Sequence, residues 1–169
     1  MRRALDASYA AAAWVAAGCM IGVLGMVVLG IAGREFGFFV PGTDAYAGYL
    51  MAAAGFLALA HALKRGDHIR VTLIVNRLVG ETRRGFELAS LGIGVVLALL
   101  FAWFSARLVL QSIEFDDIST GNDATPLWIP QLAMAAGSAL FAIALVDEWW
   151  LEFTRRRARP VPGAAAHNE

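Results

Sequence analysis

Charge is what this 169-residue chain has least of: 17% of its residues are Asp, Glu, Lys or Arg, where a soluble globular domain carries about 25%. Mean hydropathy is +0.60. The formal net charge is zero, which excludes the strong basic balance of a nucleic-acid binder. Cysteine is limited to Cys19, within an apolar run; an internal disulfide is impossible and no metal-ligand spacing surrounds it. Asp, Glu, Lys, Arg and His are absent from the middles of the apolar runs, as are Asn and Gln. A charge at such depth is costly and usually functional, so a proton relay or an ion path lined by this chain is not expected. Nor do paired, interrupted hydrophobic segments signal a midplane substrate site. No nucleophile–base pair or metal cluster is offered within one membrane leaflet, so no enzyme chemistry is expected.

What fills the chain instead is long apolar sequence. Ala7–Gly33, Ala45–Leu63, Leu88–Ala106 and Ala124–Val146 contain no charged residue. About 20 helical residues cross the roughly 30 Å hydrocarbon layer, and lipid leaves an exposed backbone no partner but itself. The reading is an all-α membrane protein with transmembrane helices at about 11–33, 44–64, 87–109 and 128–150. Residues 1–155 form one membrane domain, and the tail 156–169 is expected to be disordered. The first run is longer than the roughly 7–15 apolar residues of a secretory signal, so it is expected to stay as the first helix.

Basic residues sort sharply. Arg2 and Arg3 precede the first helix. Lys64, Arg65, Arg70, Arg77, Arg83 and Arg84 lie between the second and third. Arg155, Arg156, Arg157 and Arg159 follow the fourth. Only Arg34 and Arg107 fall on the opposite side. Positive charge marks the cytoplasmic face, which places both termini in the cytoplasm. Within 69–86, Val71, Ile74, Val75, Leu78, Val79 and Phe86 share one helical face, while Arg70, Arg77 and Arg84 line the other. This pattern predicts an amphipathic helix at about 69–84, lying on the inner membrane surface with its arginines at lipid phosphates. Gly66 breaks the preceding helix.

Gly18, Gly22 and Gly25 offer a small-residue surface for close packing, either against a partner subunit or within one bundle. Helix 4 has a similar stretch in Ala133, Ala135, Ala136, Gly137, Ser138 and Ala139. Pro41–Gly42 signals a turn, and Thr43 or Asp44 can cap helix 2. Glu114, Asp116, Asp117 and Asp123 make the second outer loop acidic, either as incidental solvated charge or as a docking surface.

The layout, together with Gly66-Asp67-His68-Ile69-Arg70-Val71 after helix 2, resembles the small DctQ-type membrane subunit of tripartite ATP-independent periplasmic (TRAP) transporters and its G-x-H-I-R-V segment. The resemblance covers roughly residues 9–152. Arg34 matches an arginine near the end of helix 1. Asp44 stands where glutamate is commoner. Thr125, Pro126 and Trp128 loosely match a Thr/Ser–Pro–Trp region before helix 4, and Thr72 departs from a usual acidic residue. The resemblance implies a scaffold subunit in the bacterial inner membrane that binds no cofactor itself. Its implied partners are a large DctM-type elevator subunit, which carries sodium coupling, and a periplasmic DctP-type solute-binding protein that delivers an organic acid. The alternatives are the small four-helix subunit of a tripartite tricarboxylate transporter and a non-transport tetraspan anchor. A haem b anchor is weaker still, since His61 and His68 flank one helix end and His167 lies in the tail.

Overall fold

A computed structural model describes residues 2–65, 81–121 and 123–154, with side chains from Leu5 in the first helix and from Arg83 in the third. Among these residues the regular structure is four helices: α1 (Arg2–Phe36), α2 (Thr43–Arg65), α3 (Glu81–Glu114) and α4 (Trp128–Phe153). Each is long and apolar enough to cross a membrane, and the chain is a multi-pass membrane protein. The four charge-free runs seed these helices, but the helices do not stop where charge begins. The 35 residues of α1 extend about 52 Å at about 1.5 Å per residue, well beyond the roughly 30 Å apolar layer. The 34 residues of α3 do likewise. Outside lipid, water and side-chain pairs sustain the helix; Arg83 Nε donates to Glu87 Oε1 at 3.0 Å, one turn on.

This changes the reading of the basic loop. Residues 81–86, including Arg84 and Phe86 of the expected surface helix, are the first turns of α3 and run on without a break. Arg84 Nη2 donates to the Phe153 carbonyl at 2.9 Å, which ties these turns to the end of α4. The rest of that expected helix, 69–80, lies outside the described residues, as do Gly66 and the tail 156–169.

The helices pack as a row in the order α1, α2, α4, α3. α1 and α2 are antiparallel neighbours: an added Cβ on Gly22 would come within 3.0 Å of Leu50, and one on Gly30 within 3.4 Å of Thr43. α3 and α4 are likewise antiparallel, with Gly92 facing Trp149 and Gly94 facing Leu145. The two hairpins join through parallel α2 and α4. Phe56 also stacks on Phe101 of α3, ring centroids 5.7 Å apart.

Small residues make this row tight. The buried cluster is Tyr9, Ala60, Leu63, Ala98, Ala142, Ala144 and Leu145. In lipid, apolar burial gives little drive between helices, and close backbone approach supplies dispersion contacts instead. The closest approach is at Gly137 of α4, where an added Cβ would lie 2.5 Å from the backbone C and O of Phe56. Large apolar side chains point away from the row: Trp14 and Ile21 on α1, Ile93 and Trp103 on α3. In water that would be a severe liability; in a bilayer it is the ordinary lipid- or partner-facing surface.

Candidate functional site

No catalytic constellation emerges among the described residues, and no group of His, Cys, Asp or Glu there is placed to hold a metal ion. The polar structure is concentrated at the two ends of the row.

At one end the α1–α2 and α3–α4 connections meet. Gly37, with φ +72°, ends α1, and Gly42, with φ +79°, delivers the chain into α2. Both occupy the left-handed region that glycine enters without steric cost. The first backbone bond of α2 runs from Tyr46 N–H to the Gly42 carbonyl at 2.9 Å. The cap position is therefore Gly42, not Thr43 or Asp44, which lie in the first turn. The α3–α4 connection is pinched by two backbone bonds, Ser119 N–H to Thr125 O at 2.8 Å and Leu127 N–H to Asp117 O at 2.9 Å. Ile118 and Pro126 form an isolated antiparallel bridge between them. Proline fits there because the bridge bonds run through its neighbours.

This pinched loop docks on the first turns of α2 through hydroxyls. Tyr49 Oη donates to Asp123 Oδ2 at 3.0 Å and lies 2.9 Å from Ser119 Oγ. Ser119 Oγ donates to Asp123 Oδ1 at 2.8 Å and receives the Gly121 N–H at 3.2 Å. The Thr125 and Tyr46 hydroxyls lie 3.1 Å apart, and the two tyrosine rings meet edge to face. Hydrogen bonds to the ionised carboxylate, first from Ser119 and then from Thr125 and Tyr49, hold the Asp123 pKa at about 2, against an ordinary 3.8. Gly42 lies directly beneath, and a Cβ there would sit 2.8 Å from that of Asp123.

At the other end a cation clamps two helices. Lys64 Nζ, on the last turn of α2, lies 2.5 Å from Asp147 Oδ2 and 3.2 Å from Glu148 Oε1 of α4. It also lies 5.9 Å from the centre of the Tyr9 ring on α1. Tyr9 is only 2% exposed, and its hydroxyl has no hydrogen-bond partner among the described residues. Three helices thus converge on one ammonium group.

The sequence-selected residues scatter relative to these clusters. Thr125 belongs to the first, and Pro126 forms part of its loop bridge. Trp128 opens α4, and Arg34 Nε donates to its own helix at the Gly30 carbonyl, 3.3 Å away. Gly18 and Gly25 have nothing within 4 Å of an added Cβ, whereas Gly22 packs on Leu50. The GxxxG step is therefore split: Gly22 is used within the row, while Gly18, like Gly25 beyond the step, is left open. His68, Ile69, Arg70, Val71 and Arg77 lie outside the described residues. Sequence reasoning missed the Tyr49–Ser119–Asp123 group and the Lys64 clamp. A signal for the clamp was present: Lys64, Asp147 and Glu148 all end even-numbered helices, which must finish on the same side.

Comparison with known proteins fits this architecture. The family model for the DctQ component of tripartite ATP-independent periplasmic transporters matches residues 23–155. The C4-dicarboxylate TRAP transporter small permease protein DctQ of Rhodobacter capsulatus is 31% identical over 88 residues, 52% of this chain and 38% of that relative's length. Spanning most of the chain and all four helices in part or whole, the family match settles the assignment: this chain belongs to the DctQ family and is a small membrane subunit of the TRAP transporter type.

Proposed function

We propose that this chain is the fixed brace of a sodium-driven TRAP transporter in the bacterial inner membrane, with both termini cytoplasmic. It supports a larger membrane subunit that carries substrate and sodium and moves against it. A periplasmic binding protein delivers the solute, an organic acid; the named substrate of the Rhodobacter capsulatus relative, a C4-dicarboxylate, is the leading candidate class. The four helices act as one unit in this role, within a single membrane domain at 1–155, and the chain itself binds no cofactor.

The observation that carries this reading is a thin row of helices, bound by polar clusters at both ends, with broad apolar faces between. A transport path needs polar groups at membrane depth; a brace needs rigidity and area. Lys64 with Asp147 and Glu148 joins α1, α2 and α4 at one end. Tyr49 with Asp123 joins the two hairpins at the other. Each of these contacts opposes sliding of one hairpin against the other. The arginine and lysine distribution supports the orientation, with the Lys64 end inside and the Asp123 end in the periplasm.

Purification of the tagged chain from native membranes in mild detergent tests the reading. It should bring down a larger multi-helix protein in a 1:1 ratio, and deleting this chain should abolish uptake of the solute. A chain that purifies alone, from cells whose solute uptake survives its deletion, overturns it.

A further inference from the structure

Arg107 breaks the apolar character of α3 and is, among the described residues, one of two basic residues near the Asp123 end of the row. The other, Arg34, is turned onto its own helix. Arg107 is exposed and makes no hydrogen bond or ion pair among the described residues. It lies seven residues before the end of α3, about 10 Å in from the helix terminus at about 1.5 Å per residue. A guanidinium at that depth needs an anion or a route to the headgroup layer.

Beside it runs a groove of about 490 Å³ between α3 and α4, within the roughly 300–1,000 Å³ of small-ligand sites. The groove has a polarity gradient. Gln111, four residues nearer the helix end, and Arg107 line its upper part. Leu108, Phe104 and Phe101 continue it deeper along α3, and Met134 closes it from α4. Ser105, at the same level as Arg107, adds a buried hydroxyl to the wall.

We infer that this groove holds one glycerophospholipid of the leaflet on the Asp123 side. Its phosphate meets Arg107 and Gln111, and one acyl chain lies along Phe104, Phe101 and Met134. Charge complementarity favours this occupant, because the groove carries a single positive charge and an amide donor at its upper end and only apolar surface below. A partner helix would have to bring a carboxylate into the apolar layer and lose its hydration. A lipid carries its phosphate at the layer boundary already, and a guanidinium matches two phosphate oxygens in bidentate geometry. By filling the seam between α3 and α4, the lipid would act as a replaceable part of the brace.

Native mass spectrometry of the delipidated full-length chain in detergent tests this with four probes and three variants. Dioleoylphosphatidylglycerol should bind one copy with saturable affinity. Dioleoylglycerol, which lacks the phosphate, and glycerol phosphate, which lacks the chains, should bind at least about tenfold more weakly. Phosphatidylethanolamine, which shares the phosphate, should be retained. Arg107→Ala should weaken phosphatidylglycerol binding about tenfold, and Met134→Trp, which fills the groove without touching the charge, should do the same. Arg34→Ala should bind as wild type does. Equal retention by Arg107→Ala and Met134→Trp, or equal loss in Arg34→Ala, overturns the inference. So does a crosslink from a photoreactive residue at position 104 to a co-purifying membrane protein with no lipid retained. These outcomes are read on the isolated chain, so they are independent of its role in a transporter.

Discussion

Gly137→Ala is the smallest change that should open the row. The new methyl would be placed 2.5 Å from the carbonyl carbon and oxygen of Phe56 and 2.8 Å from its Cβ. Ordinary carbon contacts lie at about 3.5–4.0 Å, so α2 and α4 must part by about 1 Å at their crossing. Two of the three offending atoms belong to the backbone, and no rotamer change removes them. Overpacking of this kind costs about 1–3 kcal/mol. A separation of about 1 Å also forfeits up to half of each dispersion contact along the seam. Alanine is a better helix former than glycine by up to about 1 kcal/mol, which would mask part of the loss. Gly55→Ala is the control: it lies on α2, one residue before Phe56, and an added Cβ there meets nothing within 4 Å. The difference between the two variants isolates packing. Thermal unfolding in detergent, followed by circular dichroism, should put Gly137→Ala about 2–12 °C below Gly55→Ala, at about 2–4 °C per kcal/mol for a chain of this size. Equal midpoints would mean that α2 and α4 do not meet at Gly137, and the row order would be wrong.

Lys64→Met leaves Asp147 and Glu148 side by side without their cation. It should destabilise the protein by less than the roughly 3–5 kcal/mol of a fully buried pair, because all three side chains keep some exposure. Adding Asp147→Asn and Glu148→Gln should recover most of the loss in the same unfolding assay. The Asp123 carboxyl, followed by carbon NMR on aspartate-labelled protein, should titrate near pH 2 rather than near 3.8. A depressed carboxylate stabilises the folded form above its unfolded pKa. Loop docking should therefore be intact at neutral pH and lost as pH falls from about 4 through about 2, and Ser119→Ala should move the midpoint up. Gly42→Ala and Gly37→Ala both force alanine to positive φ, at about 1–2 kcal/mol each. Only Gly42→Ala also meets Asp123, so it should unfold at the lower temperature.

The four membrane-length helices were legible because charge-free runs of that length permit little else. Helix ends were not, because the same runs say nothing about helices that continue into water. For that reason Arg84 and Phe86 were grouped with a surface segment rather than with α3. Neighbour relations were hidden as well. Gly137 sits in a stretch of small residues that all look suited to close packing, and only the crossing at Phe56 singles it out. Gly18 and Gly22 stand about 40° apart on the helix wheel at 100° per residue, enough for one to face α2 and the other to face outward. The acidic loop was read as charge. Its structural content lies in hydroxyls, since Tyr49, Ser119 and Thr125 convert Asp123 from a solvated acid into a docking point. Tyr46 and Tyr49, three residues apart at the start of α2, were the overlooked signal.

The claim that this subunit stays still while its partner moves is open to direct measurement. Spin labels at Ile21 on α1 and Leu97 on α3, both well exposed and on the terminal helices of the row, report its full width in the assembled transporter. Electron–electron distance measurements should give one narrow distribution that is the same with and without sodium and solute. A shift of several ångströms between those conditions would contradict a fixed brace and would make this chain part of the moving machinery.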